Sequence, residues 1–507
     1  MKLGENERCA SKLNQWLSIL ALGVFIVGCS GEKGSDVRFQ AEKALFEARK
    51  LKVELANKLV IAGTEFLDKT LGAYRDIVSS YESQMKEIEG LEEIVVSAQI
   101  DIAELCYQAA MLPQARKEFL KAFELADNIS EARVTALYSA AYLSEEIEDY
   151  QQALSLFERF DSLYLDPLSA KQTIKLNSQY LATPLKIAEL YGHAGDEGSK
   201  EKWLENAEKL YKDLIARGED ADILKVVRYN LLATYLQGRR WEEGLNLVRE
   251  LMSMYADEED RRSLQFLEAK IWADGLDAPA KALDLFKKVQ KEHPVSPEAP
   301  SALLSAAYLA KRIGRTGEAK ELYKSVIKNY RSIVTAAAEA NWQLALIDEE
   351  QGNWLEASLR YNSIAKEYPG TIQSFEAPLR IAKKYSEKGE HDAAKAAYQR
   401  AIELYKQILS PQYPPTIKIL AEEYIVRALI ELEQWKEAVD LLMALPDRYP
   451  GYTRFQINFL TAASILEEKI KDEAGALQAL EICIARYPGS DAAFEASRQL
   501  ERMRSSK

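Results

Sequence analysis

A small residue followed four positions later by a large one recurs along this chain about every 38 residues. The pairs are Ala115/Phe119, Ala153/Phe157, Ala207/Tyr211, Gly244/Val248, Ala282/Phe286, Ala319/Tyr323, Ala357/Tyr361, Ala394/Tyr398, Ala438/Leu442 and Ala476/Leu480. Successive steps are 38, 54, 37, 38, 37, 38, 37, 44 and 38 residues. Positions four apart share one face of a helix. The small residue admits a neighbouring helix, and the large one fills the space beside it. A period of this length predicts a stack of helical units, each packed on its neighbours, rather than a globule with one centre.

Composition agrees with such an array. Of 507 residues, 47% are apolar and 29% charged, enough for burial and for a solvated surface. The net charge of −13 shows no basic footprint, so no nucleic-acid partner is expected.

Residues 1–28 differ from the rest. Lys2, Arg8 and Lys12 precede an apolar run from Trp16 to Val27, too short to span a bilayer but right for a secretory signal. The run ends in Ile26-Val27-Gly28-Cys29, which resembles a bacterial lipobox. That resemblance implies cleavage after Gly28 and acylation of Cys29, with palmitate among the acyl groups, so the chain would contact the membrane through a lipid anchor. Ser30, where an aspartate would signal inner-membrane retention, implies the outer membrane, facing the periplasm. Residues 29–36 are expected to be the lipidated cysteine and a flexible tether. Cys106 and Cys483, at opposite ends of the array, are expected to be buried thiols rather than a disulfide.

Beyond the tether the pattern is helix, turn, helix. Residues 37–90 read as a divergent first helical pair and residues 91–507 as a solenoid of about ten repeats. Pro113, Pro184, Pro300 and Pro378 fit first-turn positions, and Pro294, Pro369, Pro450 and Pro488 fit positions just past helix ends. On this reading no proline lies deep inside a helix. The unit around Ala357 carries Ala345 in its first helix, Gly352 and Trp354 at its turn, and a closing Pro369 after Tyr361. Gly314 and Gly389, and the turn aromatics Tyr150, Trp241 and Trp435, recur in register.

In these features the chain resembles the tetratricopeptide repeat family. The resemblance implies an all-α, right-handed superhelical solenoid of antiparallel helix pairs. The family period is 34, whereas these units run 37–38. With junctions such as Tyr368-Pro369-Gly370-Thr371 and Tyr487-Pro488-Gly489-Ser490, the longer unit is similar to envelope lipoproteins of the barrel-assembly and Tol-Pal systems. Two units depart from the period. One carries extra residues near 160–190, expected as lengthened helices from Pro167 to Tyr191, and the other near 410–415.

Catalytic patterns do not emerge. His193, His293 and His391 are far apart, lack metal-ligand spacing and read as solvated turn residues. Gly192 to Lys200 has misplaced glycines and follows a helix, which excludes a phosphate loop. Glu145-Glu146 and Glu349-Glu350 read as solvated faces. No enzyme activity, cofactor, metal or small-molecule substrate is expected. The resemblance implies a groove lined by the first helix of each unit. Its offsets select Tyr138, Tyr142, Tyr229, Tyr308, Arg312, Trp342 and Glu349 as contacts for protein partners. The expected function is a membrane-held scaffold in outer-membrane protein assembly or envelope polymer export. A carbohydrate- or peptidoglycan-binding lipoprotein is the alternative.

Overall fold

The protein's computed structural model describes residues 33–58, 64–109, 111–126, 131–165, 178–449, 452, 454–487 and 490–505. The expected signal (1–28) and Cys29 lie outside the described residues, as do Pro167, Pro450 and Pro488.

Helices follow one another in chain order: α1 (Lys33–Lys58), α2 (Thr64–Tyr81), α3 (Leu91–Gln108), α4 (Leu112–Leu125), α5 (Glu131–Glu146), α6 (Tyr150–Tyr164), α7 (Ser178–Leu181), α8 (Thr183–His193), α9 (Glu197–Arg217), α10 (Ala221–Gln237), α11 (Trp241–Met254) and α12 (Glu258–Lys270). They continue as α13 (Pro279–Glu292), α14 (Ala299–Arg312), α15 (Thr316–Asn329), α16 (Val334–Glu350), α17 (Trp354–Glu367), α18 (Ile372–Glu387), α19 (His391–Ile408), α20 (Pro415–Glu431), α21 (Trp435–Arg448), α22 (Gln456–Ile465), α23 (Glu473–Arg486) and α24 (Asp491–Ser505). No strand occurs among the described residues. The fold is the all-α solenoid of paired helices expected from the repeat.

Two compact units divide the chain. The first takes Met1–Leu105 with Glu124–Asp127, and the second Cys106–Phe123 with Asn128–Lys507. In the first unit α1 begins at Lys33, so residues 33–36 are helical where a tether was expected. Its inward face, Ala41, Leu45, Ala48 and Leu55, is buried together with Leu71, Tyr74 and Ile77 of α2. Lys52 ties α1 to α3, its ammonium 2.5 Å from both Asp101 and Glu104. Burial raises the Glu104 carboxyl above its ordinary range, more strongly than Lys52 lowers it.

In the second unit the repeated pair is the packing code. Every alanine of the series from Ala115 to Ala476 is at most 4% exposed, and every partner from Phe119 to Leu480 at most 6%. Gly244 takes the alanine position where Leu236 is close: a Cβ there would sit 3.1 Å from a Leu236 methyl. Most second helices of the pairs are 14 residues long.

Nine first-to-second-helix turns share one device. A residue with positive φ stands two places before each second helix: Glu148, Gly195, Arg239, Asp277, Gly314, Gly352, Gly389, Glu433 and Lys471. In seven of them the next residue's N–H reaches five back to a helix carbonyl, as Asn353 to Asp348 and Arg240 to Tyr235 do at 2.8 and 2.7 Å, and after Asp277 and Lys471 it reaches six back. The first is the six-to-one bond that closes a helix around a left-handed residue. Glycine adopts that conformation freely, and the five other residues hold it at some local cost. α12 and α22 reach the same turn through a widened turn of π-helix, Ile271–Gly275 and Leu466–Ile470.

Some expectations are corrected. Pro378 and Pro446 lie inside α18 and α21 rather than at helix ends. Each removes one backbone bond, but both prolines are buried beside Phe375, Ala382 and Leu445, and that packing carries the helix through. Within 167–191 the described residues form no lengthened helix. α7 spans four residues and α8 eleven, because Pro184 at the start of α8 has no N–H with which to continue α7. Extra length appears instead in α9, of 21 residues. At the second irregular unit α19 runs to 18 residues before the 410–415 turn.

Candidate partner-binding face

Successive first helices stand side by side and are joined by a ladder of ion pairs. Lys186 of α8 meets Glu145 of α5 at 2.9 Å. Lys225 of α10 meets Asp260 of α12 at 2.7 Å, and Arg262 of α12 meets Glu298, just before α14, at 2.5 Å. Lys311 of α14 reaches Glu350 of α16 at 2.8 Å. Arg380 of α18 reaches Glu349 of α16 at 3.0 Å, and Arg427 of α20 reaches Glu376 of α18 at 3.4 Å. Exposed pairs of this kind contribute little stability, up to about 1 kcal/mol each. Their larger effect is on orientation, since each pair registers one first helix against its neighbour.

Glu349 is the most enclosed rung. Its side chain is 11% exposed, accepts from the Tyr361 hydroxyl at 3.0 Å and faces Lys384 at 3.4 Å besides Arg380. Burial alone would raise its pKa, but the bonds from Arg380 and Tyr361 outweigh it and hold the carboxyl below its ordinary range. Neighbouring Asp348 is held low in the same way, between Lys320 and Arg360 at 2.8 Å each.

These contacts correct the reading of the glutamate pairs as solvated faces. Glu145 and Glu349 are partners in the ladder, and burial raises the Glu146 carboxyl. His293 is corrected too. Its side chain is 15% exposed, with Nδ1 3.3 Å from Glu258 and Nε2 3.2 Å from Gln265. Among the described residues no three histidine, cysteine or acidic side chains gather as metal ligands would. Cys106 and Cys483 are both buried, and burial pushes the Cys483 thiol up to about 11.

The seven expected groove residues fall into different settings. Tyr138 packs edge-on against Phe157 and Phe160, with centroids 5.7 and 5.3 Å away, and Tyr142 is half-buried. Tyr229 stacks on Tyr255 at 6.3 Å. Arg312 pairs with Asp277 at 2.6 Å and donates to the Ala273 carbonyl at 3.4 Å. Trp342 lies 5.1 Å from the Tyr361 ring. Tyr308 is 58% exposed on α14. Glu349 and Trp342 thus serve the array itself, whereas Tyr308 presents its ring to solvent.

Turn aromatics link each repeat to the next at the far end of the first helices. Tyr150 stacks on His193 at 6.1 Å, Lys388 sits 5.4 Å over Trp354, and Lys469 5.5 Å over Trp435. Trp241 lies so close to Gly275 that a Cβ there would fall 2.3 Å from the ring.

One row was missed at the level of sequence. Val295, Ile333, Val334 and Ile372 are exposed, and they stand one repeat apart where the chain enters α14, α16 and α18. The visible signal was an aliphatic residue shortly after each unit-closing tyrosine or proline, a position the small-to-large period ignores.

Family models described as tetratricopeptide repeat match residues 301–332, 379–408 and 459–490, so the chain contains such repeats. No curated protein matches the chain in sequence. Among solved structures, yeast Tom70 is similar at 14% identity over 91% of this chain and 96% of that one, with a TM-score of 0.38. A tetratricopeptide repeat protein from Parabacteroides merdae is 12% identical over 56% of this chain and 93% of its own, with a TM-score of 0.37. A structure of the human IFIT1 dimer with m7Gppp-AAAA is 14% identical over 78% and 85%, with a TM-score of 0.32.

Proposed function

We propose that this protein is a non-enzymatic scaffold of the bacterial envelope, held to the outer membrane by acylated Cys29 and binding protein partners in the periplasm. The observation that carries the scaffold reading is the succession of paired helices that makes up most of the described residues from α5 to α24. Tetratricopeptide repeats suggest protein–protein interaction. The face of first helices, with its charges already paired and Tyr308 open, supports docking of a partner segment.

The anchor reading rests on Ile26-Val27-Gly28-Cys29 alone. Two or three acyl chains at about 0.8 kcal/mol per buried methylene hold a protein on a membrane persistently. Confinement to that surface raises the effective concentration of membrane-bound partners. Outer-membrane protein assembly or polymer export is the process this arrangement would serve.

A photo-reactive residue at Tyr308, introduced in the native cell, tests the scaffold reading. A discrete protein adduct, absent when the probe stands at exposed Lys324, supports it; saturable oligosaccharide binding without any protein adduct sinks it. For the anchor, Cys29→Ala should abolish fatty-acid labelling and membrane fractionation. Labelling that survives this substitution refutes the lipobox.

A further inference from the structure

α1 buries one face and leaves another open. Its exposed side carries Phe39 (58% exposed), Phe46 (55%) and Val53 (61%), spaced seven apart, which places them on one line along the helix. Lys43 and Lys50 occupy the same line between them, and both are exposed. The Lys50 ammonium lies 4.5 Å over the Phe46 ring while also meeting Glu47 at 2.9 Å. Of the seven basic residues of α1, Arg49 and Lys52 pair with Asp101 and Glu104 of α3 and Arg38 pairs with Glu42, so Lys43 and Lys50 are the cations of the open line, in a chain whose overall charge is −13.

From this stripe we propose that α1 lies along an anionic phospholipid surface, with Phe39, Phe46 and Val53 entering the boundary between headgroups and acyl chains. Lys43 and Lys50 then meet the lipid phosphates. The chemistry of the line chooses the occupant. Aromatic rings alternating with lysines match an interface that is apolar below and negatively charged above. A second copy of the helix fits poorly. A coiled-coil seam needs apolar residues at two positions of every seven, whereas here one is apolar and the other lysine, which would set like charges together. This inference rests on the anchor reading for one point only: an acylated Cys29 lies four residues before α1 and would keep the helix near the bilayer.

The test uses mature protein carrying Cys29→Ala, so its outcome does not depend on acylation. The protein is floated with vesicles of phosphatidylglycerol and phosphatidylethanolamine at millimolar lipid, and separately with phosphatidylcholine vesicles. Binding is expected on the anionic vesicles and should fall by more than about thirty-fold in Lys43→Glu/Lys50→Glu, since losing each lysine costs roughly fivefold and reversing its charge adds to that. Phe39→Ser/Phe46→Ser should lose binding as well. Both rings are exposed, so unchanged helicity and urea midpoint in that variant separate lost binding from lost folding. No flotation of the parent protein, flotation equal on both vesicle types, or flotation unchanged in both variants overturns the proposal. So does a concentration-dependent dimer that these substitutions dissolve. Failure of the anchor reading shows separately, as absent fatty-acid labelling of the native protein.

Discussion

The Gln456 side-chain amide donates to the Glu148 carboxylate at 3.0 Å, across 308 positions of sequence. Arg454 approaches the other oxygen of Glu148 at 3.4 Å. Glu148 is the left-handed residue between α5 and α6, and Gln456 opens α22. The array of the second unit therefore returns onto one of its own early turns. Glu148→Cys/Gln456→Cys should be joined within one chain by a short bis-maleimide cross-linker, whose reach covers two side chains that meet at their tips, while the native thiols Cys106 and Cys483 are buried. Cross-linking at the rate of an arbitrary surface pair in the same fold would show that the ends do not meet.

That contact marks the limit of what the sequence discloses. The pairing of helices, the buried alanines from Ala115 to Ala476 and the glycine turns at Gly314, Gly352 and Gly389 were all legible, because each depends on neighbours within one unit. At Tyr150, Trp241 and Trp435 the aromatics marked the turns, but not the left-handed Glu148, Arg239 and Glu433 within them, since nothing local marks a charged residue for that region. Packing around Pro378 and Pro446 overrode the local rule for proline. Among the expected face residues, offsets within a repeat could place Glu349 on the right helix. They could not reveal that Arg380, one unit later, would claim it. Contacts between units, and still more the return at Gln456, depend on the accumulated rotation of the stack.

Glu349→Gln should show an acid-dependent cost. The native carboxyl is held below the 4.5 of an unfolded glutamate, so its contribution is present above that pH and disappears as pH falls through the lower folded value. A loss of about 2 kcal/mol is expected at pH 7, the range for hydrogen bonds to a charged group. Below about pH 4 the difference from the parent should shrink toward zero. Urea unfolding at the two pH values measures it, and a constant difference would mean that charge is not the cause.

Buried tyrosines of the second helices should respond unequally to loss of the hydroxyl. Tyr211 donates to the Leu181 carbonyl at 2.6 Å and Tyr405 to the Phe375 carbonyl at 2.5 Å, so phenylalanine at either site removes a buried hydrogen bond between helices. A cost of about 1–2 kcal/mol follows. The equally buried Tyr323 hydroxyl has no hydrogen-bond partner among the described residues, so Tyr323→Phe should be neutral or stabilising. Equal losses at all three sites in urea melts would contradict this assignment.

Gly275 and Trp241 should behave as one unit. A methyl group at residue 275 would fall 2.3–2.6 Å from three atoms of the Trp241 ring, so the ring or the π-helical turn must move. Gly275→Ala should cost about 1–3 kcal/mol by overpacking. Trp241→Ala should cost about 3–5 kcal/mol at most, and less to the extent that the ring is only partly buried. With the ring gone the added methyl has room, so the double variant should be no less stable than Trp241→Ala alone. The coupling, about equal to the cost of Gly275→Ala, can be read from a double-mutant cycle of urea midpoints. Strict additivity would place the strain in the glycine backbone rather than against the ring.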